Sequence, residues 1–161
     1  VDALAQVIVA SAVSQQTNDK RQMVPMLIEL AKENLLGARP QKLSADSGYF
    51  AANAINDERL EGIALYVPPN RQKHGQPEST TPVGPATATA QQMRDKLSTP
   101  EGRDIYRMRK AIVEPVFGQI QQAMSFRHFS LRGLDNAVAE WDFICTIHNL
   151  LKLFRSGVAF A

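Results

Sequence analysis

The chain has 161 residues, 44% of them hydrophobic, and a net charge of +2 from 18 Lys and Arg against 16 Asp and Glu. That is core material for one ordinary domain and excludes two large ones, and the charge balance is too even for a polyanion-coating tail, so nucleic-acid binding has to come from a local cluster of bases. A single cysteine, Cys145, excludes an intramolecular disulfide and a cysteine-rich zinc site and fits a reducing, cytoplasmic setting, while no window approaches the roughly 18 uninterrupted apolar residues of a membrane helix.

Val1 to Val9 carries no initiator Met, cationic leader or cleavage-type segment and reads as the middle of a protein, so a fragment is expected. Gln6 to Val13 is short, β-branched and flanked by small or polar residues, the pattern of a buried strand. Ser14 to Asn18 is turn chemistry. With Asn18 as N-cap and Asp19 at the positive end of the helix dipole, Val24, Leu27, Ala31 and Leu35 recur at helical spacing until Gly37. Pro25 predicts either a bend in that helix or a later start. Lys42-Leu43-Ser44-Ala45-Asp46 reads as a short strand ending on an acid before the Ser47-Gly48 turn. Tyr49 to Leu60 reads as a helix ended by Gly62, and Ile63 to Val67 as a strand closed by Pro68-Pro69. Alternating strands and helices predict an α/β fold with parallel pairing.

Five of the nine prolines fall at 68, 69, 77, 82 and 85 among Ser, Thr, Gln and Gly, so residues 68–98 are expected to be a flexible loop or insertion point. Ser98-Thr99-Pro100-Glu101 opens a helix with a capping-box pattern, and its apolar stripe is Ile105, Met108, Ile112, Val116 and Ile120. A last helix runs from Leu134 to a stop near Gly157. Trp141, Phe143, Leu151 and Phe154 are its expected core residues, with Cys145 a buried inert thiol and His148-Asn149 a hydrogen-bonding pair toward the core.

Glu114 is the most informative position. Arg103, Arg107, Lys110, Glu114 and Gln121 share one helical face, which puts one acid on a basic stripe. A solvated face with paired charges gives the same pattern, but Pro115 follows at once and removes a backbone donor in mid-helix, a cost of about 3 kcal/mol tolerated more readily where local geometry is functional. Residues 103–132 hold six Lys and Arg against two acids. Asp46 closes a strand, where ligand and metal sites of open α/β sheets collect, and it equally suits the start of a Ser47-Gly48 turn. Two carboxylates with phosphate oxygens are what hard divalent cations take. His128 and His148 lack a matching ligand spacing.

Lys42 to Phe50, Tyr66-Val67-Pro68-Pro69, Tyr106 to Ile120, Phe126-Arg127-His128-Phe129, Arg132-Gly133-Leu134 and His148 to Lys152 resemble the carboxyl-terminal half of a bacterial insertion-sequence DDE transposase, most specifically over Arg109 to Gly118. The resemblance implies an RNase H-like sheet flanked by helices, incomplete at the N-terminus, with residues 1–161 a partial catalytic domain. It implies two Mg²⁺ or Mn²⁺ ions held by three acids for DNA strand cleavage and strand transfer. Asp46 matches the second acid and Glu114 the last, while the first is expected on a strand before Val1, Asp2 being at a hairpin tip. Tyr106 with Arg109 or Lys110 matches part of the Tyr-Arg-Glu-Lys signature of related transposases, whereas Gln121 stands where Lys is usual and removes a phosphate contact. Tyr106, Arg107, Arg109, Lys110, Arg127 and Arg132 are the implied DNA-binding residues, Tyr106 equally reading as a buried aromatic. The partners implied are double-stranded DNA, as transposon ends and target, and further copies of the chain, in a bacterial cytoplasm without membrane contact. The rival reading is a non-catalytic DNA-binding remnant that lacks the first acid; on either reading these residues alone are expected to be inactive.

Overall fold

The computed structural model describes residues 1–17, 19–33, 40–69 and 87–157. They form a mixed structure, mostly helical, with a small parallel sheet. The chain divides into two compact bodies, Thr17–Arg109 and a second made of Val1–Gln16 with Lys110–Ala161.

In the first body a 3₁₀ turn at Asp19–Arg21 leads into α1, Met23–Glu33. The later of the two expected starts is the one observed: Pro25 lies in the first turn, where no intrahelical donor is lost. Asn18, Leu35 and Gly37 lie outside the described residues. β1, Lys42–Ser44, and β2, Ala64–Tyr66, pair in parallel with Leu43 opposite Leu65. Two flanking bonds, Ala64 N–H to the Gln41 carbonyl (2.9 Å) and Ala45 N–H to the Tyr66 carbonyl (3.2 Å), extend the ladder.

The crossover between the strands is not the single helix expected over Tyr49 to Leu60. It breaks into a 3₁₀ turn at Ser47–Tyr49, α2 at Ala52–Ile55, and a 3₁₀ turn at Glu58–Leu60. The reason is Asp57, whose carboxylate accepts the Arg59 N–H and thereby caps a new turn instead of continuing the old one. The loop expected over 68–98 needs a second correction, because α3 occupies Thr87–Ser98; residues 70–86 lie outside the described residues. Ala, Gln, Met, Lys and Leu are good helix formers, and Met93 and Leu97 give α3 an apolar side to bury.

Met23, Val24, Ala54, Leu60, Leu65, Val67 and Met93 make the buried core of this body, each large side chain contributing about 1.5–3 kcal/mol. α4, Pro100–Gly118, starts at a tight corner after α3. Thr99, not Ser98, is the working cap: its Oγ1 accepts the Gly102 N–H at 3.0 Å. A Cβ at Gly102 would collide with the Lys96 carbonyl oxygen, so the corner admits only glycine there. Glu101 reaches Lys42 at 2.9 Å instead of closing a capping box.

In the second body, α4 continues into a π-helical turn at Gln119–Ala123, and α5 spans Leu134–Arg155 after Gly133, whose φ of +90° suits glycine. Val116, Ile120, Cys145 and His148 are buried. Gln6 to Val13 forms no strand. The segment is bonded to side chains of α5 instead: Asn149 Nδ2 donates to the Ile8 carbonyl and Asn149 Oδ1 accepts the Ile8 N–H, both at 2.8 Å. A helix side chain thus completes the backbone hydrogen bonds that a neighbouring strand was expected to supply. Phe143 and Phe154, expected in the core, are 65% and 78% exposed, because only the α5 stripe bearing Cys145 and His148 is covered. Met108 of the α4 stripe is likewise 51% exposed. Among the described residues no helix is long and apolar enough to cross a membrane.

Candidate functional site

Asp46 stands two residues beyond the carboxyl end of β1 and N-caps the Ser47–Tyr49 turn, its Oδ1 accepting the Ser47 N–H at 2.7 Å. The turn role and the exposed carboxylate coexist, since one oxygen suffices for the cap. The surroundings are acidic and aromatic. Burial, then the Asp19 and Asp46 carboxylates, push the Tyr49 phenol up. Asp19 Oδ2 lies 3.6 Å from where a Cβ on Gly48 would sit, so Asp19 belongs to this turn's neighbourhood. The sequence marked Asp19 only as a helix-start acid; nothing local to it signals the turn it meets.

Tyr106, on α4, belongs to the same body and is half-buried. Burial raises its phenol, Arg109 opposes that, and Asp46 adds to it. The Arg109 guanidinium stands 5.4 Å from the Tyr106 ring centroid, and its Nε is buried without a partner among the described residues. Arg107 is exposed and pairs with Asp104 at 3.3 Å, an exposed contact of small energetic weight.

Glu114 belongs to the second body. Its carboxylate is exposed and has no hydrogen-bond or ion-pair partner among the described residues, so the charge pairing that a solvated face offered is not made. Lys110, one turn earlier, is exposed as well. Gln121 is exposed but lies within the π-helical turn, whose wider winding takes it out of phase with α4. The seven-residue spacing from Glu114 therefore does not put both on one face by α-helical geometry.

Arg127 and Arg132 sit in the exposed segment between the π-helical turn and α5. This segment is held at defined points. Phe126 packs on Trp141 (6.0 Å between rings) and edge-on to Phe129 (5.5 Å). The Glu140 carboxylate accepts the Ser130 and Leu131 N–H groups at 2.9 and 3.1 Å. Desolvation raises the Glu140 carboxyl, but these bonds outweigh it and hold it low, with the His128 charge adding. Phe117, Phe126, Phe129 and Trp141 line a groove of about 390 Å³ with Arg127 and His128. His148 is fully buried, its Nε2 3.1 Å from the Gln6 carbonyl, which fixes Nε2 as the donor. His148 and Asn149 both make hydrogen bonds, but to the Gln6 and Ile8 backbone of the N-terminal segment rather than into the core. Cys145 is buried as expected, and burial pushes its thiol up.

Asp46 and Glu114 are hard oxygen donors of the kind a divalent cation takes. Among the described residues no group of three or more His, Cys, Asp or Glu side chains is placed to hold a metal ion. Each carboxylate, taken by itself, is the donor type that suits Mg²⁺, which retains waters and takes one or two carboxylates together with substrate phosphate.

A family model described as the transposase DDE domain matches residues 70–154, just over half of the chain. The match contains Tyr106, Arg107, Arg109, Lys110, Glu114, Arg127 and Arg132; Asp46 precedes it. Neither the curated proteins nor the solved structures gave a match.

Proposed function

The chain belongs to the transposase DDE domain family, and on that premise we propose that it is part of the catalytic domain of a bacterial insertion-sequence transposase, with an RNase H-like fold. The observation that carries this reading is an unpartnered glutamate in mid-helix, Glu114, on a basic face and inside the matched segment. DDE transposase domains generally use divalent metal ions. Asp46 and Glu114 would each serve as a carboxylate ligand to Mg²⁺ or Mn²⁺, and when bound such ions supply Lewis-acid activation of the attacking oxygen and neutralise charge on the leaving one.

The remaining roles fall to the chain's own side chains. Arg107, Lys110, Arg127 and Arg132 bind phosphates of double-stranded DNA at transposon ends and target, which positions the duplex without reading its sequence. Arg109 stacks against Tyr106 and steadies that ring beside the Asp46 turn, leaving the phenol to contact a sugar or phosphate. Further copies of the chain assemble on the same DNA, in the bacterial cytoplasm.

Calorimetric titration of Mn²⁺ into the 161-residue chain and its Asp46→Asn and Glu114→Gln variants tests the reading. Binding by the parent chain, weakened in both variants, is expected. Identical titrations for all three would remove the metal role and leave a non-catalytic DNA-binding relative, recognised by salt-dependent duplex affinity.

A further inference from the structure

Pro115 interrupts the hydrogen-bond ladder of α4. In an α-helix the N–H of residue 115 would donate to the carbonyl of Ala111, and proline has no N–H to give. The carbonyl is nonetheless bonded: the side-chain amide nitrogen of Gln6 donates to the Ala111 oxygen at 3.0 Å. A residue 105 positions away in sequence thus supplies the donor that Pro115 lacks, in the turn that ends on Glu114.

Gln6 is itself held on every polar group. Its N–H donates to the Asp2 carbonyl at 3.1 Å, and its own carbonyl accepts from His148 Nε2 at 3.1 Å. Its Oε1 accepts from the Lys152 ammonium at 2.8 Å. The chemistry of the partners fixes the amide's orientation, because a lysine only donates and a carbonyl only accepts. The backbone of Gln6 lies at φ +57°, a left-handed conformation uncommon for a residue with a Cβ. Strain of this kind persists where the surroundings over-determine it, and it clusters at functional sites. Water at the Ala111 carbonyl, which belongs to an exposed residue, would satisfy it without fixing its direction. A glutamine whose amide oxygen is held by Lys152 and whose backbone is held by Asp2 and His148 fixes the helical turn.

We propose that Gln6 is a positioning residue for Glu114: it completes the turn broken by Pro115 and so sets the direction in which the Glu114 carboxylate leaves α4, with His148 and Lys152 as its supports. This rests on the reading of Glu114 as a metal-binding carboxylate. The sequence offered no sign of it, since a glutamine at the start of an apparent strand has no local pattern linking it to a distant proline.

The test is a double-mutant cycle on the 161-residue chain, comparing Gln6→Leu, Pro115→Ala and the pair, read by Mn²⁺ calorimetry and by urea unfolding. Gln6→Leu is expected to weaken Mn²⁺ binding on the order of tenfold, as loss of a supporting hydrogen bond behind a ligand does. The Pro115→Ala change restores the helical N–H, so the double variant is expected to regain binding close to that of Pro115→Ala alone. Gln6→Glu, which still meets Lys152 but cannot donate to Ala111, is expected to match Gln6→Leu. Equal weakening by Gln6→Leu in both backgrounds, or none in either, overturns the proposal. If Glu114→Gln leaves Mn²⁺ binding intact, the metal reading fails and the positioning role falls with it; if Glu114→Gln weakens binding and Gln6→Leu does not, only the positioning role falls.

Discussion

The two candidate carboxylates are placed by opposite means. Asp46 is fixed within its own segment: a strand ends, the side chain caps the next turn through the adjacent N–H, and the core beneath the sheet carries the rest. Glu114 sits in a helix weakened at the next residue, and the turn it ends is completed from Gln6, which in turn leans on His148 and Lys152. Local placement survives changes elsewhere in the chain. Placement through long-range side-chain contacts fails when a single distant partner is removed, and it is open to tuning for the same reason.

That contrast can be broken from either side. The largest expected effect lies under Asp46: Leu65→Ala empties the buried site opposite Leu43 and should cost about 2–5 kcal/mol in urea unfolding. On the Glu114 side, Asn149→Leu removes both bonds that hold the Ile8 backbone and strands a half-buried N–H and carbonyl, a loss of about 1–3 kcal/mol. Hydrogen exchange at the Ile8 amide should accelerate in that variant, while amides of β1 and β2 keep their protection. Faster exchange in the strands would show that the local placement of Asp46 depends on the same distant contacts.

The same division governs what could be read in the sequence. The strand before Asp46, its parallel partner, the turn at Ser47-Gly48, and the helices carrying Glu114 and His148 were legible, because each is written in neighbouring residues. Gln6 to Val13 was misread because β-branched composition predicts extended backbone but not its partner, which is an asparagine on α5. The helix over Tyr49 to Leu60 failed at Asp57, where a side chain outcompetes the backbone for one N–H. α3 was hidden by the prolines before it, and the π-helical turn put Gln121 off the face that counting by α-helical period gave it.

A smaller effect separates the two roles of Asp46. Asp46→Ala should lose the cap, about 0.5–2 kcal/mol, whereas Asp46→Asn keeps an equally good capping oxygen and loses only the charge. Urea midpoints are therefore expected to fall for alanine and stay for asparagine, while Mn²⁺ binding weakens in both. A matching fall in stability for asparagine would mean that the charge itself holds the turn.

The smallest expected effect concerns the basic segment bearing Arg127 and Arg132. Glu140, held below its ordinary value of 4.5 by the Ser130 and Leu131 N–H groups, ties that segment to α5. A carboxyl lowered by folding stabilises fully above its unfolded value, and the contribution disappears as pH falls through the folded one. The segment should therefore loosen below pH 4.5, and Trp141, the sole tryptophan and in contact with Phe126, reports it by fluorescence. Glu140→Gln keeps an acceptor but loses the ionisable group, so its fluorescence should show no step in that acid range. A step that persists in Glu140→Gln would assign the loosening to another group and leave the segment's attachment to the Phe126, Phe129 and Trp141 packing alone.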